Sequence, residues 1–228
     1  MSTIADNVSQ VDERIRAAAL AAQRDPSTIG LLAVSKTKPA AALREAFAAG
    51  LRDFGENYLQ EAFSKQLELA DLPLCWHFIG PIQSNKTRAI AEHFAWVHSV
   101  DRLKIAQRLS EQRPPELPPL NICIQVNVSG EASKSGCTPD DLPALAAAIS
   151  ALPRLTLRGL MAIPEPTEDS AEQNAAFATV RRLQDSLNLP LDTLSMGMSH
   201  DLEAAIAQGA TWVRIGTALF GARDYGQP

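Results

Sequence analysis

The chain has 228 residues, of which 46% are hydrophobic and 21% charged, a composition typical of a folded globular protein. Lysine and arginine total 21 against 26 aspartates and glutamates, and the resulting formal charge of −5 argues against nucleic acid as a partner. No apolar run is long enough to cross a membrane, and the polar N-terminus lacks the features of a signal peptide. We therefore expect a cytoplasmic protein.

The chain opens with a helical pattern and continues as an alternation of short apolar runs and helical stretches. Apolar residues at three- and four-residue steps over 4–22 predict one amphipathic helix. The later apolar runs are rich in branched or aromatic residues, as in the strands of βα units. Eight strands are predicted, over residues 31–35, 52–55, 75–80, 96–100, 121–128, 156–163, 194–198 and 212–216.

Eight consecutive βα units most naturally close into a barrel, although an open doubly wound sheet uses the same local pattern. The predicted fold is therefore α/β, a single (β/α)₈ TIM barrel with an extra N-terminal helix. Proline-rich stretches at 114–119 and 163–166 are predicted to be surface loops, and no shift in composition marks a linker. We expect residues 1–228 to form one domain.

Lys36 is the first candidate for chemistry, because it directly follows the first predicted strand and functional groups of barrels gather at the carboxyl ends of strands. A lysine at such a position is usually a solvated surface charge. Partial burial at a barrel mouth would instead lower the pKa of its amine and let it form a Schiff base with an aldehyde. Lys38 lies on the turn before Pro39, so we expect it to reach the barrel less well.

The last two strands predict a phosphate site. Ser199 follows the seventh strand, and Gly216 and Thr217 follow the eighth. Barrels commonly bind phosphate there, with backbone N–H groups at a helix start. Helix capping or a turn explains each residue taken singly, but their place on adjacent strands favours phosphate binding. Arg214 alternates with apolar neighbours and is expected to point to the opposite side of the strand from them.

His77 alternates with Trp76 and Phe78, so its imidazole is predicted to face the barrel lumen. A lone histidine is more often a structural group than a catalyst. The four histidines lack the paired spacing of a metal site, and the three cysteines lack CxxC spacing. We therefore expect neither a metal site nor a disulfide framework.

Seven segments together resemble one known family. They are AVSKTKP, FGENYLQE, WHFIGPIQSNK, IQVNVSGEASKSG, GLMAIP, LSMGMSHDLEAAI and VRIGTALFG, and they extend over essentially the whole chain. These segments are similar to the pyridoxal-phosphate homeostasis protein family, the YggS/PROSC group, and WHFIGPIQSNK is the most specific of them. The resemblance implies a barrel like the N-terminal domain of alanine racemase, with pyridoxal 5′-phosphate as its cofactor.

The resemblance also implies roles for single residues. The cofactor would be held as an aldimine on Lys36, with its phosphate at the two strand ends described above. Arg214 would contact either the pyridine nitrogen or the phosphate of the cofactor, and the sequence does not distinguish these two contacts. The full set of expected cofactor-binding residues is Lys36, Asn57, His77, Met161, Ser199, Arg214, Gly216 and Thr217.

The function implied by the resemblance is intracellular vitamin B6 homeostasis without robust catalytic activity, with pyridoxal-phosphate-dependent apo-enzymes as possible recipients. The alternative is a small fold-type-III amino-acid racemase. Racemases complete their sites with a second β-domain, whereas this chain ends twelve residues after Gly216 and its tyrosines are Tyr58 and Tyr225. A phosphosugar-binding barrel that forms no aldimine would share the phosphate site. Because the sequence shows no large apolar patch, we expect a monomer.

Overall fold

The computed structural model describes residues 2–132 and 135–222, in which strands and helices alternate. The strands are β1 Gly30–Val34, β2 Asp53–Glu56, β3 Cys75–Phe78, β4 Trp96–Val100, β5 Leu120–Gln125, β6 Leu155–Met161, β7 Thr193–Ser195 and β8 Trp212–Ile215. The helices are α1 Ile4–Ala21, α2 Ala40–Ala48, α3 Leu59–Glu68, α4 Thr87–His93, α5 Leu103–Gln112, α6 Leu142–Ser150, α7 Ser170–Ser186, α8 Leu202–Ala207 and α9 Thr217–Phe220. Short 3₁₀ turns lie at Pro26–Thr28 and Ser84–Lys86.

The strands run parallel and close into a barrel in chain order. Closure comes from β8, which pairs with β1 in a register that places Gly30 opposite Trp212 and Ala33 opposite Ile215. The predicted TIM barrel is thus confirmed, and the open doubly wound sheet is excluded. Each predicted strand overlaps an observed one. Strand β7 ends three residues earlier than predicted, and Gly197 beyond it adopts a φ of 99°, which is outside the range of extended backbone.

The predicted N-terminal helix is α1, and it packs on the outside of the barrel. Its first turn carries a capping box, in which Thr3 accepts from the backbone of Asp6 and Asp6 accepts from the backbone of Thr3. Its buried face consists of Val8, Val11, Ile15 and Ala19. This face meets α2, α8 and α9, so α1 supports the helices that follow β7 and β8.

The barrel has an apolar shell between its strands and helices and a more polar interior. Buried residues such as Val213 and Ile215 belong to the shell. The lumen encloses a small apolar cluster of Trp96, Cys123 and Met161 together with buried polar side chains. Buried polar groups are hydrogen-bonded in folded proteins as a rule. Among the described residues, no helix combines the length and apolar character that crossing a membrane requires.

Candidate functional site

A cavity of about 210 Å³ lies at the carboxyl ends of the strands. Its apolar wall is formed by Val34, Ile79, Ile163 and Met198. These residues come from the ends of four different strands, so the cavity is at the mouth where barrels bind their ligands. Burial of a ligand against this wall leaves the polar lining residues to set its orientation.

Most of the expected cofactor-binding residues line this cavity. Those that do are Lys36, Asn57, Ser199, Arg214, Gly216 and Thr217. Met161 and His77 are fully buried in the lumen and are not among the lining residues. Met161 packs with Trp96 and Cys123. The two-residue period of a strand predicts which side a residue faces but not whether its side chain reaches the cavity.

Two lysines share the cavity. Lys36 lies two residues after the end of β1 and is half-buried. Thr37 separates Lys36 from Lys38 and has a φ of 65°, an uncommon conformation for a residue with a side chain. Its N–H donates to Glu61 Oε1 at 2.5 Å. The Nζ of Lys38 donates to the carbonyl of Ala222 at 2.8 Å. Lys38 also lines the cavity, and the expectation that it reaches the barrel less well than Lys36 stays a prediction.

A buried ion cluster supports the turn that carries Lys36. Lys65 on α3 is only 4% exposed, and its Nζ donates to Ser35 O at 2.6 Å, to Glu56 Oε1 at 2.7 Å and to Glu61 Oε1 at 2.6 Å. Burial raises the pKa of Glu56, although the neighbouring Lys65 ammonium acts in the opposite direction. The cluster connects the end of β1 with β2 and α3, and Ser35 and Glu56 directly precede the lining residues Lys36 and Asn57. Sequence reasoning missed it, and the one available signal was the i,i+4 pair of Glu61 and Lys65.

Asn57 presents an unsatisfied acceptor. Its Oδ1 atom is buried and has no hydrogen-bond partner within the described part of the chain. Such a group costs free energy unless a partner arrives. The backbone of Asn57 is fixed from the other side, since a Cβ on Gly80 would lie 2.4 Å from the Asn57 carbonyl oxygen. A ligand with an O–H or N–H donor would satisfy Asn57 Oδ1.

The two predicted phosphate-binding strand ends meet in the structure. Gly216 is the N-cap of α9, Thr217 begins that helix, and the Ala218 N–H donates to Ser199 Oγ at 3.4 Å. The segment before Ser199 is shaped by Gly197, where an added Cβ would approach Ala205 Cβ to 2.6 Å. The first N–H groups of a helix have no partner inside the helix. These donors and two hydroxyl groups therefore lie together at the cavity.

Arg214 contributes a buried positive charge. The prediction that it points away from its apolar neighbours is confirmed, since Val213 and Ile215 lie in the outer shell. Its Nη1 donates to Ser195 Oγ at 2.8 Å and its Nη2 to Ala162 O at 3.0 Å. Burial lowers its pKa to about 10, so the guanidinium remains charged at neutral pH.

The charge of the cavity is opposite in sign to that of the whole chain. Lys36, Lys38 and Arg214 line it, whereas none of its described lining residues is an aspartate or glutamate. The chain as a whole carries a formal charge of −5. A local concentration of positive charge in a concave site attracts anions. The electrostatics therefore favour an anionic ligand.

Below the cavity the fold brings together a group that sequence spacing did not reveal. The potential ligand atoms of Asp53, Cys75 and His77 lie within 4.8 Å of one another. His77 Nε2 is 2.9 Å from Asp53 Oδ1, so these two groups satisfy each other by a hydrogen bond. Burial raises the pKa of Cys75 to about 12, so the thiol is protonated at neutral pH. The expectation that the chain has no metal site stays a prediction.

Of the two tyrosines considered for acid–base chemistry, only Tyr58 lies among the described residues. Tyr58 precedes α3, is 55% exposed and is not among the lining residues. Tyr225 lies outside the described residues.

Fold and site together define a (β/α)₈ barrel with a lysine and a positively charged cavity at its mouth. The model of the family "Alanine racemase, N-terminal domain" matches residues 2–224. The pyridoxal phosphate homeostasis protein of Pseudomonas aeruginosa is 79% identical over 228 residues, covering 100% of this chain and 99% of that protein. The protein of the same name from Escherichia coli K12 is 55% identical over 235 residues, covering 99% of each chain. This chain therefore belongs to the pyridoxal phosphate homeostasis proteins of the alanine racemase N-terminal domain family.

A solved structure agrees with this assignment. PipY of Synechococcus elongatus PCC7942, determined with PLP bound, superposes with a TM-score of 0.84 at 44% sequence identity. The match covers 96% of this chain and 100% of that one.

Proposed function

We propose that this protein binds pyridoxal 5′-phosphate covalently through Lys36 and serves intracellular vitamin B6 homeostasis by holding and releasing the cofactor. The proposal rests on one observation. The half-buried amine of Lys36 lines the same positively charged cavity as the ends of β7 and β8, where barrels commonly bind phosphate. The name of the relatives and the PLP-bound structure of PipY support the same ligand.

The residues of the cavity fit the parts of this cofactor. Ser199, Gly216 and Thr217 would hold the phosphate, and the apolar wall would pack against the ring. Asn57 Oδ1, the acceptor without a partner, suits the phenolic O–H of the cofactor. Arg214 precedes Gly216 by two residues, which in a parallel strand corresponds to about 7 Å. With the phosphate at the strand end, we therefore place Arg214 beside the ring.

The cofactor aldehyde condenses reversibly with a primary amine and releases water, which is the chemistry the group would supply. Lys36 would provide that amine, and the Lys65 cluster would hold the turn on which it sits. Racemisation requires acid–base groups on both faces of the substrate carbon. Among the described lining residues, the side chains that can exchange protons are those of Lys36, Lys38 and His200. Tyr58 is exposed and does not line the cavity. We therefore favour reversible binding, with apo-enzymes as recipients, over amino-acid turnover.

We further propose that the protein acts as a cytoplasmic monomer. The large apolar side chains exposed among the described residues are Leu20, Tyr58, Leu67, Leu117 and Ile163, and no two of them are close in sequence. Scattered apolar residues of this kind do not form the contiguous patch expected of an interface. Light scattering on the purified chain measures the mass directly.

The test of the proposal is an absorbance spectrum of the protein with pyridoxal phosphate, before and after borohydride treatment. We expect a reducible band that is lost in Lys36→Ala and retained in Lys38→Ala. Lys38→Ala is the matched control, because it removes a second amine from the same cavity. Loss of the band in Lys38→Ala instead would identify Lys38 as the lysine that binds the cofactor. The absence of a band in the wild type would reject the proposal. Turnover of an amino acid well above that of free cofactor would contradict the homeostasis role.

A further inference from the structure

A continuous chain of hydrogen bonds crosses the barrel lumen and ends at the cavity. Asp53 Oδ1 lies 2.9 Å from His77 Nε2, and His77 Nδ1 lies 2.9 Å from His98 Nε2. His98 Nδ1 lies 2.7 Å from Ser195 Oγ, which accepts from Arg214 Nη1 at 2.8 Å. The two imidazoles, Ser195 and Arg214 are all buried, and only the Asp53 end is partly exposed. These four hydrogen bonds therefore link Arg214 to Asp53 across the lumen.

The two ends fix the direction of every hydrogen bond in this chain. An arginine can only donate, and an ionised carboxylate can only accept. Asp53 therefore accepts the Nε2–H of His77, whose Nδ1 must in turn accept the Nε2–H of His98. His98 Nδ1 then accepts the O–H of Ser195, which leaves a Ser195 lone pair for Arg214. Each group has the donor and acceptor it needs when both imidazoles are neutral.

The opposite order fails at both ends. If His98 donated through Nδ1, its Nε2 would have to accept from His77 Nδ1. A neutral His77 would then present a bare Nε2 to the Asp53 carboxylate, and two acceptors would face each other at 2.9 Å. The Ser195 hydroxyl would also lose the acceptor it has in the forward order. Only one arrangement of neutral tautomers satisfies the chain.

The surroundings of the imidazoles keep them neutral and in place. The titratable groups that face His77 are Asp53, Cys75 and His98, and those that face His98 are His77 and Arg214. Burial lowers the pKa of both imidazoles, although the Asp53 carboxylate acts in the opposite direction at His77; at His98 the neighbouring His77 and the positive charge of Arg214 add to the lowering. The His77 ring stacks on Trp96, with centroids 5.4 Å apart and 10° between planes.

We propose that Asp53, His77, His98 and Ser195 form a one-way hydrogen-bond relay that positions the Arg214 guanidinium in the cofactor cavity. This proposal rests on the proposed function, since the cofactor is the ligand that Arg214 would contact. The two acceptors that hold Arg214 are a hydroxyl and a carbonyl, and neither carries a formal charge. The relay thus orients the cation without neutralising it, and the carboxylate stays four hydrogen bonds away. Asp53, His77, His98 and Ser195 are positioning residues.

The first test uses the full chain without cofactor. Long-range ¹⁵N–¹H spectra of the histidine side chains distinguish the two neutral tautomers from the cation. We expect both His77 and His98 to carry the proton on Nε2 at neutral pH. An Nδ1–H tautomer or a cation at either residue would overturn the relay, whatever the protein binds.

The second test cuts the relay with Ser195→Ala and measures binding of two probes. We expect the affinity for pyridoxal phosphate to fall about tenfold, with a shift in the pH profile of the bound-cofactor absorbance band. Inorganic phosphate should bind as in the wild type, because it needs the strand-end donors and not Arg214. The matched control is Ser110→Ala, which removes another buried serine hydroxyl, one that donates to the carbonyl of Pro153 instead of to an imidazole. It should leave both affinities unchanged.

The outcomes separate the relay from the function. If the wild type binds pyridoxal phosphate and Ser195→Ala matches it in affinity and spectrum, the relay is rejected and the proposed function stands. An equal loss of affinity for both probes would mean that Ser195 acts through general structure, and this also rejects the relay. Failure of the wild type to bind pyridoxal phosphate at all would reject the proposed function itself.

Discussion

At the scale of single residues, the cavity keeps polar groups in states that are unfavourable without a ligand. Asn57 Oδ1 is buried without a partner among the described residues, and Arg214 is charged although it is buried. A buried acceptor left unsatisfied costs about 1–3 kcal/mol. A ligand that supplies the missing partner recovers this free energy, so part of the affinity for cofactor is prepared in the free protein.

Replacement of Asn57 should separate stability from binding. In Asn57→Leu the unsatisfied oxygen is removed, so we expect the free energy of unfolding without cofactor to be unchanged or to rise by about 1 kcal/mol. The affinity for pyridoxal phosphate should fall about tenfold, the equivalent of one hydrogen bond. Urea unfolding and a cofactor titration measure the two effects.

Asn121 provides the matched control for this prediction. Its side chain donates to Ala95 O at 3.1 Å and accepts from Arg158 at 2.9 Å. Asn121→Leu should therefore lower the free energy of unfolding by about 1–2 kcal/mol. Equal destabilisation by both substitutions would show that Asn57 Oδ1 has a partner in solution.

At the scale of secondary-structure elements, α3 holds the first two strands in place through Lys65. Breaking a buried ion pair by removal of one partner costs about 3–5 kcal/mol, because the other charge stays buried. Lys65 also donates to the carbonyl of Ser35, directly before Lys36. The helix thereby connects the stability of the barrel with the position of the proposed anchor.

A double-mutant cycle on Lys65 and Glu56 should show strong coupling. We expect Lys65→Met to lower the free energy of unfolding by about 3–5 kcal/mol. Adding Glu56→Leu should recover much of this loss, since it removes the uncompensated carboxylate. Lys104→Met on α5, at an exposed position, is the control and should change stability by less than about 0.5 kcal/mol. Additive effects of the two buried substitutions in urea unfolding would contradict the ion pair.

The elements themselves could be predicted from sequence, whereas many of their contacts could not. Hydrophobic period and turn residues are local signals, and they placed all eight strands and α1. Lys65 lies in the middle of an amphipathic helix, where a lysine normally faces solvent. Its burial depends on Glu56 in a neighbouring strand, which no local pattern encodes.

At the scale of the whole molecule, barrel closure determines which residues meet. Sequence reasoning placed Lys36, Ser199, Gly216 and Thr217 at the mouth because strand ends are local features, whereas Asn57 and Arg214 were expected there from the family resemblance. The relay instead joins residues that are distant in sequence, such as His98 and Ser195, which are 97 positions apart. His77 was correctly expected to face the lumen, but its depth follows from the stagger of strands around the closed barrel.

The relay also gives the whole protein a characteristic dependence of stability on pH. Burial places the folded-state pKa of His77 and His98 below the ordinary value of 6.5. The unfolded chain therefore binds more protons just below pH 6.5, so stability is full above that pH and falls as the pH decreases towards the folded-state values. Each histidine contributes a slope of up to about 1.4 kcal/mol per pH unit.

His98→Gln should reduce this slope by up to about 1.4 kcal/mol per pH unit between pH 5 and 6.5. Glutamine can still donate to His77 and accept from Ser195, so the variant removes the titration while it keeps the hydrogen-bond order. Glu56, with its raised pKa, contributes a slope of opposite sign, but it does so equally in both proteins. Urea unfolding of wild type and variant across this pH range isolates the contribution of His98. Parallel pH curves would show that His98 has the same affinity for protons in the folded and unfolded chain, and would contradict a buried neutral imidazole at the centre of the barrel.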